Sequence, residues 1–287
     1  MNDPDHTSLH SFDSQIKALI HLLSDPNERV ANTIQDRLVT IGPPAVPLLE
    51  QAGLDDPEMA TRLQEVIQDI GFSEIEHAFL TLRSRPEHQD DLEVGSFLLA
   101  RYRYPNLNIA DYIRQLDHLA HEARIYTDAH ESPQESFKAL GQFLFQDKGF
   151  RGNTTDYYNP DNSFLNCVLD RKRGIPISLS VLFLLIAQRL RIPAVGIGMP
   201  GHFLVKLDPE PIFLDCFNNG AQLTQEDCER FLQESGYTVD PKFLDKSPTQ
   251  LVLTRMVMNL ITIYDQQNDK PRSRHLKRIV EILQKKA

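Results

Sequence analysis

Cysteine is scarce in this chain, and its scarcity excludes two ways of holding a protein together. Cys167, Cys216 and Cys228 are the three thiols in 287 residues. An odd count without a CxxC pair argues against a disulfide framework and against a zinc knuckle, and a reducing cytoplasm fits such a chain best. Positive charge is also short. Thirty Lys and Arg against 40 Asp and Glu leave a formal net charge of -10, with no dense basic stripe, so no nucleic-acid partner and no membrane partner is expected. Long apolar runs are missing too. The most apolar stretch, "RKRGIPISLSVLFLLIAQRL" from Arg171 to Leu190, is interrupted by Gln188 and Arg189 short of the ~20 residues a membrane helix needs. The opening "MNDPDHTSLHSF" lacks the basic and apolar regions of a signal peptide. The expectation is a cytoplasmic protein, neither exported nor membrane-spanning.

What is present is the composition of a globular protein, 41% hydrophobic and 24% charged, long enough for two modest domains. After a leader over residues 1–12, expected to be disordered, "SQIKALIHLLSD" puts Ile16, Leu19, Ile20 and Leu23 on one helical face. "PNERVANTIQDRLVTIG" does the same with Val30, Ile34, Leu38 and Ile41. Gly42-Pro43-Pro44 stops that helix, and "AVPLLEQAG" with "PEMATRLQEVIQDIG" forms a second pair. The segments "LLSDPNERV" and "IGPPAVPLLEQ" resemble HEAT-type repeats. The charged stretch "RSRPEHQDDLE" is the expected domain boundary.

Beyond it, "PAVGIGMPGHFLVKL" and "PIFLDCF" read as strands, and the end, from "PTQLVLTRMVMNL" to "RIVEILQKK", reads as a helical hairpin turning at Asn268–Pro271. The order from Arg171 onward is a turn at Gly174, a buried helix, a strand carrying His202 and a second strand carrying Asp215. A thiol hydrolase sets out its nucleophile, base and orienting carboxylate in that order.

Several segments taken together resemble the bacterial transglutaminase-like proteins of the invasion-gene regulator family, which are often followed by tetratricopeptide repeats. They are "GSFLLARYRYPNLN", "YIRQLDHLAHEA", "GFRGNTTDYYNPDNSFLNCVLDRKRGIPISLSVLFLLIAQRL", "PGHFLVKL" and "FLDCFNNG". The terminal "LTRMVMNLITIY" resembles the family's first tetratricopeptide helix. The resemblance implies an α+β, mostly helical protein with a transglutaminase/papain-like core and a small antiparallel sheet over 92–247. A HEAT-like helical module over 13–82 would precede the core, and a tetratricopeptide-like hairpin over 248–287 would follow it.

In that superfamily a cysteine opens the central helix, where the helix dipole and a nearby histidine favour the thiolate. Here the helix opens Gly174-Ile175-Pro176-Ile177-Ser178, and Pro176 matches the usual cysteine position. Ser178 is the candidate substitute nucleophile, with His202 as base and Asp215 as orienter. The competing reading is that Ser178 caps the helix, since a helix dipole cannot ionise an alcohol as it can a thiol. Cys167 and Cys216 read as small buried hydrophobes, and Cys228 as incidental on a charged helix.

Asn162 and Asn166 are candidate substrate-binding amides, Asn166 at the rim of the cleft because it follows Asn162 by four residues on one helical face. His118 and His121, with Glu122 beside them, share a helix face but lie on the far side of its apolar stripe, so no metal is expected there. "GIGMPG" lacks the spacing of a dinucleotide loop, and no cofactor is expected. The function expected is a protein- or peptide-binding scaffold on a core that has lost its thiol, the alternative being a hydrolase or acyltransferase using Ser178.

Overall fold

The structure, a computed structural model, describes residues 4–86 and 88–285. Twelve α-helices and two small sheets make up the described residues, which divide into two compact units, Met1–Ala78 and Phe79–Ala287.

The first unit is built from α1 (Pro4–Leu22), α2 (Glu28–Ile41), α3 (Val46–Asp55) and the first part of α4 (Ala60–Ser84). Helix α1 begins inside the stretch expected to be a disordered leader, of which residues 1–3 lie outside the described residues. A proline in the first turn followed by Asp5 is a helix-start pattern that the leader's polarity conceals. Asn27 caps α2 by accepting from the Arg29 N–H at 3.0 Å, and Gly42 ends it at φ +76°, a conformation glycine adopts without strain. The expected stripe is partly shifted. Leu38 and Ala31 are buried while Val30 is exposed, because the face inward follows Ala31 rather than Val30. Ile16, Ile20, Leu23, Leu38, Leu49, Leu63, Val66 and Ile70 close one core.

The second unit takes in the end of α4, α5 (Asp91–Arg103), α6 (Ile109–Thr127), α7 (Pro133–Gln142), α8 (Leu165–Arg171), α9 (Pro176–Arg189), α10 (Gln225–Glu234), α11 (Thr249–Gln266) and α12 (Lys270–Gln284). Helix α9 is the expected buried helix. Every residue from Pro176 to Val181 is buried, as are Leu182, Phe183, Leu185, Ile186 and Ala187. It is apolar all round because elements pack on all of its sides, α6, α7 and α8 among them.

Strands β1 (Arg151–Gly152) and β2 (Arg173–Gly174) form a two-residue parallel pair. Strands β3 (Ala194–Ile197), β4 (Leu204–Leu207), β5 (Ile212–Asp215) and β6 (Ala221–Leu223) form an antiparallel meander in that order. Register pairs Gly196 with Val205 and Val205 with Leu214. Helix α9 packs on β3 and β4, while Cys228 and Leu232 of α10 join Val195, Ile197, Leu204 and Phe213 in a second cluster. Burial on both faces explains why β4 shows no alternation of apolar and polar residues. Strand β6, "AQL", was missed in the sequence because three residues without an apolar run carry no period.

His202 is not on a strand. It lies two residues before β4, in a turn where its N–H reaches the Met199 carbonyl at 3.3 Å and Gly201 stands at φ +74°. The tail forms the hairpin: Leu253, Met256, Val257, Leu260 and Ile263 of α11, with Ile279, Ile282 and Leu283 of α12, are buried. No described helix is long and apolar enough to cross a membrane.

Candidate functional site

The start of α9 is the first half of the site. Ile175 is its N-cap in extended conformation, and Pro176 takes the first helical position, where its missing N–H costs no hydrogen bond. Ser178, one turn in, is fully buried. Its Oγ accepts from the Ile175 N–H at 3.0 Å and donates to the Asn162 carbonyl at 2.6 Å, with the Ile175 carbonyl at 3.2 Å. A Cβ on Gly174 would lie 2.7 Å from that Oγ, so glycine is needed for the chain to pass so close. The hydroxyl is thus engaged by backbone on both its donor and acceptor sides, and His202 is not among its partners.

The second half is the turn carrying His202 and the end of β5. His202 Nε2 lies 2.8 Å from Asp215 Oδ2. Asp215 is held further by the N–H groups of Phe217 at 3.0 Å and Asn218 at 3.1 Å on Oδ1, and by Asn218 Nδ2 at 2.8 Å on Oδ2. Burial disfavours its charge, but the hydrogen bond and charge of His202, together with the Asn218 donors, outweigh that cost and hold the carboxyl below its ordinary range. The His202 ring also meets Phe231 of α10, with centroids 5.5 Å apart.

Between the two halves lies a cavity of about 260 Å³. Pro176 and Ile177 line it from α9, Gly201, His202 and Phe203 from the turn, Arg255, Met258 and Asn259 from α11, and Tyr157 from the loop before α8. At the helix start the residue on this cavity, in the same wall as His202, is therefore a proline. Arg255 donates through Nη2 to the carbonyls of Met199 at 2.8 Å and His202 at 2.9 Å, bracketing the turn, and stacks over the Phe203 ring with its guanidinium carbon 5.5 Å from the centroid.

The asparagines do not reach this cavity. Asn162 donates to the carbonyls of Asp156 at 2.7 Å and Tyr157 at 3.1 Å and accepts from Asn153, which makes it the clasp of its own loop. Asn166 is buried within α8 and absent from the cavity wall. The helical-face argument for it fails because Asn162 belongs to a separate 3-10 turn, Pro160–Ser163, and α8 starts only at Leu165.

The thiols are buried as well. Cys167 donates to the Tyr104 hydroxyl at 3.2 Å, and burial pushes its pKa up, only partly offset by that bond. Burial pushes Cys216 far up, and pushes Cys228 up to about 12. His118 is exposed and paired with Glu122 at 3.5 Å, and Glu122 also binds Lys148.

The residues that sequence reasoning missed are Tyr157, Arg255, Met258 and Asn259. Arg255 left a signal: it is the only ionisable side chain apart from tyrosine between Thr249 and Tyr264, a charge on an otherwise apolar helix.

A family model described as the transglutaminase-like superfamily matches residues 110–258, more than half of the chain. Among curated relatives, the UPF0162 protein of Xylella fastidiosa strain 9a5c is 34% identical over 181 residues, 60% of this chain and 64% of the relative. The UPF0162 protein of Vibrio cholerae is 32% identical over 145 residues, 50% of this chain and 53% of the relative. F-box only protein 21 of Mus musculus is 34% identical over 143 residues, 46% of this chain and 22% of the relative. The aligned part of the chain thus spans less than two thirds of the length of each of these relatives. No solved structure matches the chain.

Proposed function

This chain belongs to the transglutaminase-like superfamily, and from that membership we propose that it is a non-catalytic member whose cleft beside His202 binds a peptide segment of a protein partner. One observation carries the reading: at the start of α9 the ring of Pro176 lines the cleft where a thiol would be presented, while the nearby Ser178 hydroxyl is committed to the backbone. The retained pair of His202 and Asp215 then orients a ligand rather than activating a nucleophile.

The match to a segment covering 22% of a mouse protein supports reading the core as a module that also occurs within a longer chain. The helices before and after the core, HEAT-like and tetratricopeptide-like in pattern, supply further partner surface. A role in gene regulation of the invasion type would be served by such a scaffold. Three free, buried cysteines and the net charge of -10 fit work in the cytoplasm on protein rather than on nucleic acid or membrane.

The rival reading, a hydrolase or acyltransferase using Ser178, needs the hydroxyl within hydrogen-bond reach of His202. Exposure to fluorophosphonate and acyl probes, read by mass spectrometry, separates the two. The expected outcome is no His202-dependent adduct on Ser178, Cys167 or Cys216. Labelling at Ser178 that disappears in His202→Ala overturns the non-catalytic reading. Affinity capture with the intact protein and with His202→Ala tests the binding role directly, and equal capture of the same partners by both would place the binding surface elsewhere.

A further inference from the structure

We infer that the cleft beside His202 is a carboxylate site, in which Arg255 of α11 supplies the counter-charge to an acidic group of the bound peptide; this rests on the peptide-binding reading above. Arg255 lines the cavity, yet no carboxylate of the described residues pairs with its guanidinium. Its Nη2 is spent on two carbonyls and its Nη1 lies beside Gly198, which leaves Nε as a further donor. Burial is the one cause of its lowered pKa, with no acidic neighbour raising it back.

A half-buried cation without an acidic partner is one that an anion brought by a ligand would stabilise. The rest of the wall agrees with that charge. It holds no Asp or Glu, although the chain as a whole carries -10, and Asn259 and His202 add polar groups on the same cavity. Asp215 is turned to His202 and Asn218, and its charge is used by them.

The occupant is limited in size. A volume of about 260 Å³ falls below the usual range for drug-sized ligands, ~300–1,000 Å³, and suits one or two residues of a peptide. Aromatic rings adjoin two lining residues: Tyr157 meets Tyr158 at 5.3 Å and Phe217 at 5.8 Å, and Phe231 lies 5.5 Å from His202. Tyr158 and Phe231 are exposed. Such rings hold the residues next to the acidic one by apolar contact at low entropic cost. The acidic group can be the C-terminal carboxylate of a chain or an Asp or Glu side chain, and the chemistry at Arg255 is the same for both.

The test uses three pools of N-acetylated random hexapeptides passed over the immobilised full-length protein and read by mass spectrometry. One pool has free C-terminal acids and no Asp or Glu, one has C-terminal amides and no Asp or Glu, and one has C-terminal amides with Asp and Glu allowed. The first or the third pool is expected to be retained at least about tenfold over the neutral amide pool, the smaller end of what a charge-assisted hydrogen bond contributes. Which of the two is retained identifies the source of the carboxylate.

Arg255→Gln is expected to abolish the preference. Because that change also removes a clamp on the turn, Met258→Glu serves beside it: Met258 is 47% exposed at the cavity, and a negative charge there opposes the ligand's without touching the Arg255 carbonyl bonds. Equal retention of all three pools, or a preference unchanged in both variants, overturns the carboxylate inference and leaves peptide binding standing. Retention of none of the pools overturns peptide binding itself.

Discussion

The start of α9 and the turn before β4 face one cavity, and they have been put to different uses. At the helix start, the hydroxyl of Ser178 is fully buried and bonded to two main-chain groups, and the residue that lines the cavity is a proline. At the turn, His202 keeps a carboxylate partner, a ring neighbour and a place on the cavity wall. One half commits its hydroxyl to the backbone while the other presents a polar pair to the cavity. The difference teaches that the His202 turn does not depend on what stands at the helix start, because the groups that hold His202 are tied to β5, to the Asn218 loop and to α11.

The sharpest way to break that comparison is Ser178→Ala. If the hydroxyl is structural, its removal leaves the Ile175 N–H and the Asn162 carbonyl without partners in the core. The expected destabilisation is about 2–3 kcal/mol, the sum of a lost cap and an unsatisfied buried group. Denaturant unfolding measures it, and a change below about 0.5 kcal/mol would mean that the helix start does not depend on this bond. The ligand preference of the cleft should survive, since Ser178 is not part of its wall.

Next in size is Pro176→Cys, which puts a thiol at a position lining the cavity. A cysteine at a helix start near a histidine has a lowered pKa, against about 8.5 for a free thiol. Its alkylation by iodoacetamide at pH 7 should run about tenfold faster than that of the same thiol in the urea-unfolded chain, and His202→Ala should reduce the advantage. Equal rates in folded and unfolded protein would show that His202 does not act on the helix start across the cavity.

The sequence disclosed these halves unequally, and for physical reasons. The buried helix, the Gly174 turn and the residue types at 176, 178, 202 and 215 are local features. A continuous apolar run, a glycine and a proline speak for themselves at short range. The pairing of His202 with Asp215 follows from the order of elements and the family position that the resemblance gives Asp215, and the turn that holds His202 reads as strand because Phe203, Leu204 and Val205 continue its apolar pattern.

Asn166 was misassigned by one element, since nothing in "NPDNSFLN" marks where the 3-10 turn ends and α8 begins. Arg255 was invisible as a site residue because its place follows from how the tail helix docks, some 50 residues beyond His202, and such long-range contacts carry no local period. The division at Ala78 and Phe79 falls inside α4 rather than in the charged stretch after it, because helical pattern alone does not reveal which core a long helix has left. Limited proteolysis of the exposed residues around 84–90 remains the direct measure of whether that stretch behaves as a joint.

The smallest expected effect concerns the pH dependence of the half that carries His202 and Asp215. The Asp215 carboxyl is held below its ordinary value near 3.9 in the folded chain, chiefly because the His202 and Asn218 interactions exceed the cost of burial. A depressed acid contributes stability that is fully present above its unfolded value and is lost as pH falls through the folded one. Folding stability should therefore decline below about pH 4 more steeply in the parent protein than in Asp215→Asn, which has no carboxyl to protonate at that position. His202→Ala removes the largest favourable partner but leaves three donors on Asp215, so it should soften the same decline without abolishing it. Denaturant unfolding at pH 3, 4 and 6 for the three proteins measures this difference, which should amount to about 1 kcal/mol or less between parent and Asp215→Asn once partial solvent access is allowed for. Parallel stability curves for all three would mean that the pair contributes position and no acid-dependent stability. A loss in Ser178→Ala that itself varied with pH over this range would contradict the division of the site into a structural half and a charged one, since a hydroxyl bonded to backbone has no proton to exchange there.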